Sequence, residues 1–212
     1  DGDLDLFVGG RSIPGKYPET PPSRLLRNDW STHGGFTDVT DQLAPGLRKT
    51  GMVTSAIWSD ADGDGDPDLL VTHDWGPVKL WKNNEGQLVD GTQEAQLSER
   101  LGWFNGIAAR DLDNDGDIDY VVTNFGLNTK YHATAEQPVL VYHGDFDGQG
   151  RKCLVEAHYE HDTLYPIRGK SCSTNAMPFV SEKLPSFKEF ALASLSDIYT
   201  EEGLKQSERF EV

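Results

Sequence analysis

The stretch "SDADGDGDPDLLVTHDW", Ser59 to Trp75, decides how this chain is read. Five aspartates fall on alternate positions: Asp60, Asp62, Asp64, Asp66 and Asp68. The chain then turns abruptly apolar at Leu69, Leu70 and Val71. Carboxylates packed this closely repel one another, so the tract calls for something that neutralises them. Gly65 permits a sharp backbone reversal, and the apolar run after it reads as a buried strand. The stretch is therefore a turn that feeds a strand.

The turn is not unique. "DGDLDLFVGG" from Asp1, "DGDPDLLVTH" from Asp64, "DGDIDYVVTN" from Asp115 and "QGRKCLVEAH" from Gln149 align without gaps. Three of them are preceded by a further pair of acids: Asp60 and Asp62, Asp111 and Asp113, Asp145 and Asp147. The full pattern is D-x-D-x-D-G-x-x-D followed by an apolar strand. Flanking segments repeat as well. "GMVTSAIWSD" before one turn parallels "GWFNGIAARD" before the next, and "SRLLRNDWSTHGGFTDVT" parallels "VKLWKNNEGQLVDGT". One repeat thus reads as strand, acidic turn, strand, turn, strand, turn, strand. That is a four-stranded antiparallel unit of the kind that forms a propeller blade.

The ninth turn position falls at Asp5, Asp68, Asp119 and Cys153, in steps of 63, 51 and 34 residues. A blade needs about 40–50 residues, so the first two steps allow loop insertions and the last predicts an abbreviated blade. The expected fold is mainly β: a partial β-propeller of about three to four blades over residues 1–167. From residue 168 to 212 the grammar turns helical. Pro185 and Ser186 open a predicted helix through "SFKEFALASLSDIYT", with Phe187, Phe190, Ala191, Leu195 and Ile198 on one face. A second short helix is expected over 201–208. The chain begins in the middle of the pattern, which reads as a piece of a longer protein whose remaining blades lie elsewhere.

A net charge of −16 argues against nucleic acid as a partner, since phosphate binding needs clustered Lys and Arg. No run of about 18 apolar residues is present, so this segment holds no membrane-spanning helix. Much of the acidity sits in the turns. Asp at positions 1, 3 and 5 sets three hard oxygen donors on one side of a tight bend, a set that suits Ca²⁺. Residue 7 (Asp66 or Asp117) offers its backbone carbonyl, and Asp68 or Asp119 at position 9 closes the cage. An EF-hand would carry Glu at position 12, where this chain has Val71 and Val122. The expected metal residues are Asp60, Asp62, Asp64, Asp66 and Asp68, with Asp111, Asp113, Asp115, Asp117 and Asp119. Asp145 and Asp147 in the fourth turn are expected metal residues as well, although Gln149 stands at position 5 and Cys153 at position 9. Asp1, Asp3 and Asp5 of the first turn complete the expected set, but its positions 1 and 3 precede the sequence.

At these residues the sequence resembles the FG-GAP/VCBS repeat proteins, whose repeats build the calcium-binding β-propeller of integrin alpha subunits and related extracellular proteins. The likeness runs over roughly residues 1–165. More narrowly, "LLRND…GGFTDVTDQLAPGL", "GIAARDLDNDGDIDYVVTNFGLNTKY" and "RGKSCSTNAMPF" to "FALASLSDIYT" resemble the bacterial group that pairs these repeats with an ASPIC/UnbV module, related to cartilage acidic protein. No ASPIC/UnbV module is itself visible. The resemblance implies a secreted or cell-surface propeller, periplasmic or extracellular in a bacterium, with calcium in its inter-strand turns.

No nucleophile elbow, H-E-x-x-H helix, Walker A loop or dinucleotide fingerprint occurs. Cys153 and Cys172 are read as free thiols, with a single bridge between them as the alternative. His158 and His161 in "HYEH" would face opposite sides of a strand and so share no metal. His73, Asp74 and Trp75, with Trp103 and Asn105, sit near strand ends, where they either pack or line a sugar-binding surface. The reading overall is a calcium-binding extracellular repeat module acting as a structural, adhesive or ligand-binding scaffold for a protein or carbohydrate. The alternative is a calcium-dependent polysaccharide lyase or hydrolase built on the same propeller.

Overall fold

A computed structural model describes residues 4–126 and 129–212. The Asp1 and Asp3 of the first acidic turn lie outside the described residues. The chain divides into two units, Asp1–Phe125 and Gly126–Val212.

In the first unit, β1 (Leu6–Val8), β2 (Arg24–Asn28) and β3 (Phe36–Asp38) form a three-stranded antiparallel sheet in chain order. It corresponds to the last three strands of a repeat. Two short helices follow, α1 (Trp30–His33) between β2 and β3, and α2 (Thr40–Leu43) after β3, then a 3-10 turn at Leu47–Lys49. The next repeat is complete: β4 (Met52–Ser59), β5 (Asp68–Asp74), β7 (Lys79–Asn84) and β8 (Gln87–Asp90) lie side by side in that order. The two-residue strands β6 (Gly76–Pro77) and β9 (Leu101–Gly102) pair with each other beside it. The third repeat supplies only the hairpin β10 (Phe104–Arg110) and β11 (Asp119–Asn124), and β10 packs against β4 and β5.

The internal repeat holds down to its irregularities. Pairing of β4 with β5 slips between Val53 and Ser55, and pairing of β10 with β11 slips between Phe104 and Gly106. Both bulges lie six residues before the first aspartate of the turn that follows. β5 is buried along its whole length, as its continuous apolar run demands. Leu69 and Val71 from β5, Trp81 from β7 and Leu88 from β8 share a core with Leu25, Val39, Ala44 and Leu47 of the preceding repeat. Neither sheet closes this core alone, which is how stacked repeats gain stability.

In the second unit, β12 (Leu140–Gly144), β13 (Cys153–Glu160) and β14 (Thr163–Pro166) follow the repeat order. Five helices come next: α3 (Lys170–Ala176), α4 (Phe179–Lys183), α5 (Phe187–Leu192), α6 (Leu195–Tyr199) and α7 (Glu201–Gln206). The chain then returns as β15 (Glu208–Glu211), antiparallel to β12, giving the order β14-β13-β12-β15. The abbreviated blade expected here is thus completed from its other edge: β8 lies outermost in its sheet, whereas β15 flanks the strand that leads into the acidic turn. The helices are part of the core. Met177, Val180, Phe190, Leu195, Ile198 and Tyr199 pack with Leu140, Tyr142, Val155 and Ala157 of the sheet. The division expected at 167/168 falls inside this unit.

The single helix expected over 186–200 is two helices. Ser186 caps α5 and Ser194 caps α6, each in a reciprocal capping box with Glu189 or Asp197. A second box eight residues after the first supplies partners for a fresh set of N–H donors, so the helix restarts instead of continuing. The predicted apolar face is accordingly broken: Phe190, Leu195 and Ile198 are buried, while Phe187 is 70% exposed.

Candidate metal centre

Three hairpins carry the acidic turns, and all close in the same register. Ser59 pairs with Asp68, Arg110 with Asp119, and Gly144 with Cys153, so in each the residue before position 1 faces position 9. Each nine-residue turn is thus held at the same two anchor points.

Hydrogen bonds repeat with the register. The carboxylate of Asp60 accepts from Gly63 N at 2.9 Å and Gly65 N at 3.1 Å. Asp111 accepts from Asn114 N at 2.7 Å and Gly116 N at 3.1 Å, and Asp145 from Gly148 N at 2.9 Å and Gly150 N at 2.7 Å. The Gly150 amide holds the Asp145 carboxyl below the usual carboxylate range. At position 5, Asp64 accepts from Asp66 N and Asp115 from Asp117 N, both at 2.9 Å. Position 1 is therefore the hub over which the backbone wraps.

This wrapping gathers side chains. Asp60, Asp62 and Asp64 each bring a carboxylate oxygen within 4.8 Å of the others, and Asp111, Asp113 and Asp115 do the same. Three oxygen donors at such spacing, open to solvent, match a hard divalent cation in chemistry and in charge. The side chains of Asp66 and Asp117 are exposed and stand outside these triplets. Asp145 and Asp147 form no triplet: position 5 is Gln149 and position 9 is Cys153. Burial raises the Cys153 pKa, and its Sγ lies 4.0 Å from Ala176 O. A protonated thiol is a poor donor for a hard cation.

Position 9 does something the sequence did not announce. Asp68 is fully buried. One of its oxygens accepts from Ala61 N at 3.0 Å, inside the turn, and the other from Asn83 N at 2.8 Å, on β7. Asp119 repeats the first bond, from Leu112 N at 2.9 Å. Asp5 repeats the second, accepting from Asn28 N at 2.8 Å on β2. Position 9 thus latches the turn to itself and to the third strand. Both third-strand donors are backbone N–H groups, at the ends of "RLLRN" and "KLWKN", so no side chain in the sequence marks the latch. Lys82, one residue before Asn83, also escaped notice. Its Nζ lies 3.5 Å from Asp62 Oδ2.

Both triplets lie on the same side of the first unit, where Tyr120 donates its hydroxyl to Ser59 Oγ at 2.7 Å. The strand ends at the other side hold the aromatic residues singled out from sequence. Trp75 and Trp103 stack at 4.9 Å between centroids, and Trp103 and Phe125 at 4.6 Å. Trp75 is buried and donates its indole N–H to Tyr17 Oη. Asp74 is buried and pairs with Arg11 at 3.3 Å. His73 is held by Pro77 O at 2.8 Å and Thr50 Oγ1 at 3.3 Å. Cys153 and Cys172 are free thiols. Among the described residues no helix is long and apolar enough to cross a membrane.

No curated protein matches the chain. The profile of the FG-GAP-like repeat family matches it twice, over residues 1–71 and 60–122, which together span more than half of its length. The two matches end on the apolar strands β5 and β11 that follow the two full acidic turns. With the repeated hairpins, bulges and turns described above, they place this chain in the FG-GAP-like repeat family.

Proposed function

We propose that the chain is a calcium-binding segment of an extracellular β-propeller, with one Ca²⁺ held in each of the turns 60–68 and 111–119. Asp60, Asp62 and Asp64 would hold one ion and Asp111, Asp113 and Asp115 the other, with the carbonyls of Asp66 and Asp117 and the carboxylates of Asp68 and Asp119 completing the sites. The ion's contribution is charge: it neutralises three converging carboxylates and ties both ends of a hairpin together. The observation that carries this reading is the coincidence of two triplets built by the same hydrogen bonds in the same register. An acidic turn selected for solubility alone has no need of that identity. The turn 145–153 keeps the scaffold without the donors and is read as structural. The repeats continue to about Ile167, and the helices of 170–206 are an insertion between β14 and β15. The module presents its loops to a protein or carbohydrate ligand and joins further blades of the parent protein.

Calorimetric titration of the chelated chain with Ca²⁺ tests the reading. Two sites are expected, with dissociation constants of about 0.1–1 mM if the setting is extracellular. Asp64→Ala with Asp115→Ala should abolish the heat. Unchanged heat in that double variant would show that the ions, if bound, sit elsewhere.

A further inference from the structure

We propose that Lys82 is a resident competitor for the cation at the 60–68 turn, so that the two turns, otherwise alike, fill in a set order with 111–119 first. The proposal rests on reading these turns as divalent-cation sites. It starts from a difference in the charge that faces them. Lys82 Nζ lies 3.5 Å from Asp62 Oδ2 and 3.5 Å from Glu94 Oε1. Among the described residues no Lys or Arg pairs with Asp111, Asp113 or Asp115.

The ammonium is held in place by packing. The Lys82 stem lies across Gly91, where a Cβ would come within 2.9 Å of Cγ, 3.1 Å of Cδ and 3.3 Å of Cε. Only glycine leaves room for that path, and the Lys82 side chain is 22% exposed as a result. The asymmetry has a topological cause. Lys82 rides on β7, the third strand of its sheet, whereas among the described residues β10 and β11 pair only with each other.

The charge arithmetic is simple. A Ca²⁺ ion sits about 2.4 Å from a ligating oxygen. An ammonium 3.5 Å from Asp62 Oδ2 is then at most about 6 Å from an ion that this same oxygen ligates. Even at the dielectric constant of water, a unit charge facing a divalent one at that distance weakens binding about tenfold. Lys82 keeps Glu94 as a partner when Asp62 is taken, so its displacement is partial and the repulsion persists. With little calcium present, Lys82 is the counter-ion that tempers the turn's own repulsion.

The test titrates the full chain with Ca²⁺ at low ionic strength in two backgrounds. With the 111–119 turn silenced by Asp113→Asn and Asp115→Asn, Lys82→Met should tighten binding at the remaining turn about tenfold. Lys82→Gln should do the same should methionine disturb the fold, and Lys82→Arg should leave the affinity low. With the 60–68 turn silenced by Asp62→Asn and Asp64→Asn, Lys82→Met should change the affinity of the 111–119 turn by much less than tenfold, because Lys82 pairs with Asp62 and Glu94 and, among the described residues, with no acid of that turn. An equal gain in both backgrounds, or none in the first, overturns the competitor role while leaving the cation sites standing. Absence of binding in every variant, wild type included, defeats the reading of the turns and this proposal with it.

Discussion

Asp68→Ala separates the two jobs that position 9 can do. Asp68 is fully buried, and its two oxygens satisfy the N–H groups of Ala61 and Asn83 at 3.0 and 2.8 Å. Truncation removes two charge-assisted bonds and leaves two backbone donors beneath the turn without partners. Each orphaned donor costs about 1–3 kcal/mol, and Ala61, being half-buried, sits at the low end because water can reach it. The sum is about 2–5 kcal/mol, a large part of the roughly 5–15 kcal/mol that holds a domain together. The cost does not depend on calcium, so it should appear in excess chelator. At a typical urea slope it moves the unfolding midpoint down by roughly 1–2 M. Tryptophan fluorescence reads this cleanly, because Trp30, Trp58, Trp75, Trp81 and Trp103 all lie in the first unit. Asp64→Ala is the matched control: exposed, and bonded only to Asp66 N within its own turn, it should leave the midpoint in chelator near wild type. A wild-type midpoint for Asp68→Ala in chelator would refute the latch and leave metal ligation as the residue's only use.

Two further outcomes follow from the opposite end of the same strand pair. Burial lowers the His73 pKa to about 4, from an ordinary imidazole value of 6.5. The unfolded chain therefore binds a proton that the folded chain refuses, and stability that is complete above pH 6.5 should fall as the pH drops toward 4, by up to about 3 kcal/mol. Denaturation of His73→Gln across that range should show a flatter pH dependence than wild type; an equal slope would mean that His73 does not titrate out of step. Gly51 has φ +135° and a Cβ there would come within 2.6 Å of His73 Cδ2, so Gly51→Ala should cost about 2–4 kcal/mol by urea titration. Gly65→Ala shares the positive φ but meets nothing within 4 Å and should cost only about 1 kcal/mol. Equal losses at the two positions would rule out the clash with His73 as the cause.

Legibility in the sequence followed the range of the interactions. The strands around Asp60 and Asp111 were readable because a nine-residue turn with fixed glycine and aspartate positions sets its own hairpin register. The triplets were readable for the same reason: positions 1, 3 and 5 converge through bonds that span at most five residues. The break between α5 and α6 was overlooked because the apolar spacing continues across it. Ser194 and Asp197 carried the signal, as a second capping box within the run. The placement of β15 had no local signal at all. It pairs with β12 across more than sixty residues, a separation over which no short-range pattern sets the register.

The sequence alone determined that this chain repeats, that each repeat turns on an aspartate-rich bend, and that the bends gather hard oxygen donors. Those are short-range consequences of residue order. Only the tertiary structure decided what surrounds the bends. Asn83 comes from β7 to complete the Asp68 latch, and Lys82 comes with it to face Asp62. Among the described residues the 111–119 turn has neither, since β10 and β11 there pair only with each other. Two turns of nearly one sequence thus stand in different electrostatic settings, and the difference is made by a strand that begins more than ten residues beyond the first of them.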